Sequence, residues 1–122
     1  MFKILLVEDD PFLSEMYTTK LTADGFEVEL ASDGKEALKK ISATKPDLVL
    51  LDIVLPKMDG FEVLETMKKD PAMSQIIVIA LTNLGQKEEV EKGLALGADD
   101  YIIKAHYTPS EVVNKVKQIL TK

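Results

Sequence analysis

The sequence has 122 residues and is 46% hydrophobic, which is enough for one core, so we expect a single domain spanning residues 1–122. Its formal net charge of -6 argues against broad electrostatic attraction to nucleic acid or to an anionic membrane, and it favours a protein partner. The lack of cysteine excludes a disulfide framework and a thiolate metal site.

The first predicted elements are a strand, a helix and a second strand. Residues 4–7 are a short apolar run, which is typical of a buried strand. A helix follows, because Asp10 can cap it, Pro11 suits its first position and Gly25 suits its end. Residues 26–30 then predict a short strand at an edge of the sheet.

The middle of the chain predicts two helices on either side of a central strand. Asp33 can start the second helix, and Pro46 marks the return to the apolar residues 48–51, which predict the central strand. The third helix follows Gly60 and is predicted to turn Phe61 toward the core.

The last part of the chain repeats this alternation twice. Residues 76–81 and 101–103 predict strands, and residues 86–96 between them predict a weaker, movable helix, since Gly93 lowers its propensity. A capping-box pattern beginning at Thr108 starts the fifth helix. The alternation predicts an α/β fold in which helices cover both faces of a parallel sheet.

Polar side chains directly follow four of the predicted strands. Glu8 and Asp9 follow the first, Asp52 the central one, and Thr82 and Lys104 the last two. Ligands of open α/β sheets bind beyond the carboxyl ends of the strands, so we expect these groups to meet at one edge. Converging carboxylates repel each other unless a ligand neutralises them, and oxygen ligands suit Mg²⁺. The pattern therefore predicts a site for Mg²⁺ and phosphate.

These motifs resemble those of the response-regulator receiver domain of two-component signalling, including its chemotaxis regulators. The resemblance covers nearly the whole chain and is carried by residues 4–10, 52–60, 81–82 and 97–104, in the order and spacing of that family. It implies a flavodoxin-like, doubly wound, five-stranded parallel sheet with strand order 2-1-3-4-5.

The resemblance also implies a role for each residue of the site. Asp9 would bind Mg²⁺ directly, Glu8 through water, and Asp52 and the Val54 carbonyl would complete the metal ligands. Asp52 would accept a phosphoryl group from a sensor histidine kinase, while Lys104 counters the developing charge. The protein would then be no enzyme beyond phosphorylating itself and slowly losing the phosphate.

The same family couples phosphorylation to a switch, which here would involve Thr82 and Tyr101. The alternative for Tyr101 is that it simply covers the edge of the sheet. The fourth helix, fifth strand and fifth helix would form the surface that binds a downstream protein. We expect no direct binding of nucleic acid, and either a monomer or a phosphorylation-dependent dimer.

Two other functions stay open. The chain could be a phosphorelay intermediate that passes its phosphoryl group to a histidine-containing protein, or the receiver half of a DNA-binding transcription factor. Because no apolar run reaches membrane-spanning length and the start lacks a signal-peptide pattern, we expect a cytoplasmic protein without membrane contact.

The chain departs from the family pattern beside the predicted site. Ala105 follows Lys104 where the family usually has proline, so the Lys104-Ala105 peptide bond could be cis or trans. Asn83 follows Thr82 where a small residue is usual, and we expect it to narrow access to the phosphoryl group. In that family the residues at the positions of Val54 and Leu84 flank the path of a hydrolytic water, and these two side chains cannot orient it by hydrogen bonding, so the resemblance implies slow loss of the phosphate.

Overall fold

The computed structural model describes residues 1–121, and within that range it contains one sheet of five parallel strands. The strands are β1 (Lys3–Val7), β2 (Glu27–Ala31), β3 (Leu48–Leu51), β4 (Ile77–Thr82) and β5 (Asp100–Ile103). Their order in the sheet is β2-β1-β3-β4-β5, and every neighbouring pair is parallel. The predicted doubly wound fold, its strand order and the edge position of the second strand are confirmed.

Five α-helices connect the strands within the described residues: α1 (Pro11–Ala23), α2 (Gly34–Thr44), α3 (Gly60–Lys69), α4 (Lys87–Ala95) and α5 (Pro109–Leu120). A short 3₁₀ turn, Lys104–His106, precedes α5. None of the helices in residues 1–121 is long and apolar enough to cross a membrane.

The predicted helix starts are explained by local hydrogen bonds. The Asp10 carboxylate accepts a hydrogen bond from the Phe12 N–H at 2.9 Å, so it caps α1 as expected. Thr108 and Glu111 form the reciprocal capping box of α5. These signals are local in the chain, which is why the sequence predicts the helix boundaries to within one or two residues.

The core consists of two apolar layers, one on each face of the sheet. Alternate residues of each strand point to opposite faces, so Leu6 packs with the layer under α1 and α5, whereas Leu5 packs with the layer under α2 and α3. The prediction for Phe61 is wrong in part, because this side chain is only half-buried. It lies in the first turn of α3 beside α4, where the Lys92 ammonium is 4.5 Å from its ring centroid.

Candidate functional site

Glu8 and Asp52 directly follow the last residues of two neighbouring strands, β1 and β3. Val7 and Leu51 are register partners in the β1–β3 pair. Beyond them, the Asp52 N–H donates to the Val7 carbonyl at 3.0 Å, and the Glu8 N–H donates to the Ala31 carbonyl at 3.0 Å. The two acidic residues are therefore held by an extension of the sheet ladder and not by a loose loop.

The two side chains form an acidic cluster with Asp9. Glu8 and Asp52 are buried, while Asp9 is exposed. One carboxylate oxygen of each residue lies within 4.8 Å of those of the other two. A set of three carboxylates that is open on one side suits a hard cation with oxygen ligands, so these residues could hold a metal ion.

The Lys104 ammonium lies inside this cluster. It donates hydrogen bonds to Asp52 Oδ2 at 2.8 Å and to Glu8 Oε1, and the Lys104 side chain is only 10% exposed. Burial alone would lower the pKa of Lys104, but its hydrogen bonds to Asp52 and Glu8 outweigh burial and raise that pKa. Burial raises the pKa of Glu8, although the contact with Lys104 opposes this effect. Lys104 is therefore a permanent cation at neutral pH.

The remaining predicted residues surround the same opening. Asp9, Asp52, Val54, Thr82 and Lys104 all line one open cavity of about 350 Å³. Thr82 is fully buried, and its hydroxyl oxygen accepts only a long contact of 3.4 Å from the Leu84 N–H. The structure thus brings together the acidic, hydroxyl and ammonium groups that follow the four strands.

The loop after β3 packs tightly behind Asp52. The Val54 N–H donates to Asp52 Oδ1 at 3.1 Å, and the Gly60 N–H donates to the Ile53 carbonyl at 2.8 Å. A Cβ at position 60 would lie 2.4 Å from the Asp52 carbonyl oxygen, so no larger residue fits without moving the backbone. The sequence marks Gly60 as a helix start but does not reveal this contact.

Tyr101 lies apart from the acidic cluster, against α4. Its hydroxyl donates to the Leu84 carbonyl at 2.6 Å. A Cβ at position 93 would come within 2.8 Å of the Tyr101 ring, so the missing side chain of Gly93 makes room for the tyrosine. Burial, followed by the negative charges of Glu89 and Asp52, raises the pKa of Tyr101 to about 12.

The two departures beside the site contact each other. The Lys104-Ala105 peptide bond is trans, which settles the alternative left open by the sequence. The Ala105 N–H donates to Asn83 Oδ1 at 3.1 Å. Sequence reasoning identified both positions but missed the contact, since the residues are 22 positions apart.

Comparisons with known proteins show which family the chain resembles. The family model described as "response regulator receiver domain" matches residues 4–117. The alkaline phosphatase synthesis transcriptional regulatory protein PhoP of Bacillus subtilis is 42% identical over 98% of this chain and 49% of its own length. This chain spans about half the length of the curated relatives it matches.

Solved structures share the whole fold. The receiver domain of the Francisella response regulator 1452 has a TM-score of 0.90 and 31% sequence identity, with 100% of both chains covered. The chemotaxis response regulator CheY4 of Vibrio cholerae has a TM-score of 0.90 and 28% identity, with 98% of both chains covered.

Proposed function

The chain belongs to the response regulator receiver family of two-component systems, and on that premise we propose that Asp52 accepts a phosphoryl group from a sensor histidine kinase. The observation that carries this proposal is the environment of Asp52. Its carboxylate is buried beside two other carboxylates, contacts an ammonium and opens to a cavity. Such an arrangement suits transfer of an anionic group, because catalysis of phosphoryl transfer is mainly positioning and charge neutralisation.

The donor set fits Mg²⁺, which prefers carboxylate oxygens and phosphate. Asp9 would hold it directly and Glu8 through water, with Asp52 and the Val54 carbonyl as the other protein ligands. When bound, the ion would neutralise charge on the acidic cluster and on the transferring group. An Asp52 carboxylate oxygen attacks the phosphorus, and the bond from phosphorus to the donor breaks as the new O–P bond forms. Lys104 stays protonated and counters the charge on the phosphoryl oxygens.

The product is an acyl phosphate, whose added oxygens attract hydrogen-bond donors. The Thr82 hydroxyl is one such donor, because it lines the same cavity as Asp52 and its only hydrogen-bond contact among the described residues, with the Leu84 N–H, is long at 3.4 Å. Movement of the residue 82–84 segment would reach Tyr101 through its hydrogen bond to the Leu84 carbonyl. We propose that α4, β5 and α5 report this change to a protein partner, with the domain itself binding neither nucleic acid nor membrane and acting as a monomer or a phosphorylation-dependent dimer.

Intact mass spectrometry after incubation with acetyl phosphate tests this proposal. We expect the wild type to gain one phosphoryl group with Mg²⁺ and none without it, and the Asp52→Ala variant to gain none. The Asp24→Ala variant is the control, because Asp24 is an exposed carboxylate at the far end of α1 and should leave the gain unchanged. A wild type that gains no phosphate from acetyl phosphate or from its own kinase would contradict the assignment.

A second candidate function is the receiver half of a transcription factor. It is favoured by PhoP, which is a transcriptional regulatory protein and of which this chain covers only 49%. The stand-alone alternative is favoured by CheY4, of which the chain covers 98%. Reading the gene beyond codon 122 separates the two, because a DNA-binding domain after Lys122 supports the first and a stop codon supports the second.

A further inference from the structure

A hydrogen bond connects the loops that follow β4 and β5. Asn83 comes directly after Thr82, and Ala105 comes directly after Lys104. The Ala105 N–H donates to Asn83 Oδ1 at 3.1 Å. A backbone N–H can only donate, so the amide oxygen of Asn83 must face it. The bond therefore ties the Asn83 side chain to the backbone of Ala105, and Thr82 and Lys104, the residues before these two, line the cavity at Asp52.

This bond requires a residue other than proline at position 105 and a side-chain acceptor at position 83. A proline at position 105 would have no amide hydrogen to donate, and an alanine at position 83 would have no side-chain acceptor. The departures at 83 and 105 are thus the two halves of one contact.

Within the 3₁₀ turn itself, the backbone restraint after Lys104 is weak. The hydrogen bond that closes the 3₁₀ turn, from the Tyr107 N–H to the Lys104 carbonyl, is long at 3.3 Å. The Lys104 side chain has four rotatable carbon bonds, so the position of its ammonium depends on where the backbone starts it. We propose that Asn83 is a positioning residue that holds the backbone at Ala105 and so directs the Lys104 ammonium to Asp52. This inference rests on the proposed phosphoryl transfer to Asp52.

Asn83 also lines the cavity, so its side chain affects access to Asp52 as well as forming the hydrogen bond. The test separates these two effects. Asn83→Leu removes the acceptor and keeps a side chain of similar size, so access to Asp52 stays similar. Asn114→Leu, on the exposed side of α5, is the control for adding an apolar surface residue. Two quantities are measured: the initial rate of Asp52 phosphorylation by acetyl phosphate at saturating Mg²⁺, and the hydrogen exchange rate of the Ala105 amide.

We expect Asn83→Leu to lower the phosphorylation rate and to speed exchange at Ala105, each by about fivefold, the factor that one typical net hydrogen bond supplies. Asn114→Leu should change neither. Ala105→Pro removes the donor of the same bond, so adding it to Asn83→Leu should slow phosphorylation no further than Ala105→Pro does alone.

Three results would overturn the inference. A phosphorylated wild type whose rate is unchanged by Asn83→Leu shows that the bond does not direct Lys104. Effects of Asn83→Leu and Ala105→Pro that simply multiply show that the residues act separately. A wild type that gains no phosphate overturns the proposed function itself, and the inference with it.

Discussion

Removal of the Lys104 ammonium should destabilise the fold, because it lies between the buried carboxylates of Glu8 and Asp52. We expect Lys104→Met to lower the free energy of unfolding by about 3 kcal/mol without Mg²⁺, since two buried carboxylates lose their counter-charge. Added Mg²⁺ should recover part of this loss. Urea denaturation with and without Mg²⁺ measures both effects.

Lys115→Met is the matched control. The Lys115 ammonium is 3.9 Å from Asp100, but both side chains are about one-third exposed. A solvated pair of this kind contributes little, and the Lys115 ammonium also lies 5.2 Å from the Tyr107 ring centroid, so we expect a change below about 1 kcal/mol and no dependence on Mg²⁺. Equal losses of unfolding free energy in the two lysine variants would show that Lys104 does not stabilise the acidic cluster.

The pKa of the Tyr101 hydroxyl should show whether this side chain is buried against α4. Because the folded-state pKa is raised from 10.0 to about 12, the neutral phenol contributes stability that is fully present below pH 10.0 and is lost as the pH rises through about 12. Rapid-mixing absorbance, which records phenolate before alkaline unfolding, should place the Tyr101 midpoint near this value once the Tyr101→Phe signal is subtracted. Glu89→Gln should lower the midpoint, and a midpoint near 10 in the wild type would contradict the buried position.

Val54 and Leu84 set the expected lifetime of the phosphorylated form. Val54 is 57% exposed and lines the cavity at Asp52, yet its side chain has no group that can orient a water molecule. We expect slow hydrolysis in the wild type and faster hydrolysis in Val54→Asn and Leu84→Glu, measured as loss of phosphate after the donor is removed. Val54→Ala serves as the control for size, and rapid loss from the wild type would rule out this account.

Among the contacts between elements, Gly93 of α4 packs against the Tyr101 ring of β5. Alanine normally stabilises a helix interior by about 1 kcal/mol relative to glycine, but here its Cβ would meet the Tyr101 ring at 2.8 Å. We therefore expect Gly93→Ala to destabilise the wild type and to break the hydrogen bond from Tyr101 to the Leu84 carbonyl. In a Tyr101→Ala background the same substitution should stabilise. Thermal denaturation of the wild type, the two single variants and the double variant measures this change of sign. Stabilisation by Gly93→Ala in both backgrounds would show that the Tyr101 ring does not require a glycine at position 93.

The elements themselves are well predicted because their signals are local. Asp10 caps α1 and the Thr108-Glu111 pair caps α5, and each works through neighbours within a few residues. Contacts between elements are different. The position of Tyr101 against Gly93 and the bond between Asn83 and Ala105 depend on how α4 and the loops settle on the sheet, which no periodicity in the sequence encodes.

At the scale of the whole molecule, a bound cation should stabilise the fold by relieving repulsion in the acidic cluster. At a free Mg²⁺ concentration about 100 times its Kd, linkage predicts about 2.7 kcal/mol of stabilisation. Asp9→Asn should abolish most of the Mg²⁺-dependent rise in Tm. Because Asp9 is exposed, the same variant should change the Tm without Mg²⁺ little. Asp24→Asn should keep the full rise, and an unchanged wild-type Tm in Mg²⁺ would argue against the metal site.

The convergence of the site was predictable from topology, whereas its contacts were not. The carboxyl ends of parallel strands lie at one edge of the sheet. Because Glu8, Asp52 and Lys104 each directly follow a strand, the sequence predicts that they lie near one another. That Lys104 bonds to both carboxylates depends on side-chain packing, and so does the close approach of Gly60 to the Asp52 carbonyl.

The hydrogen bond between Lys104 and Glu8 joins residues that are 96 positions apart. During synthesis the β1 end of the site leaves the ribosome long before β5 does. A nascent chain that still lacks β5 contains the acidic residues but not Lys104, whose ammonium neutralises their charge. On the proposed function, we expect phosphoryl acceptance only by chains whose sheet is complete, and none by nascent or truncated chains that lack β5.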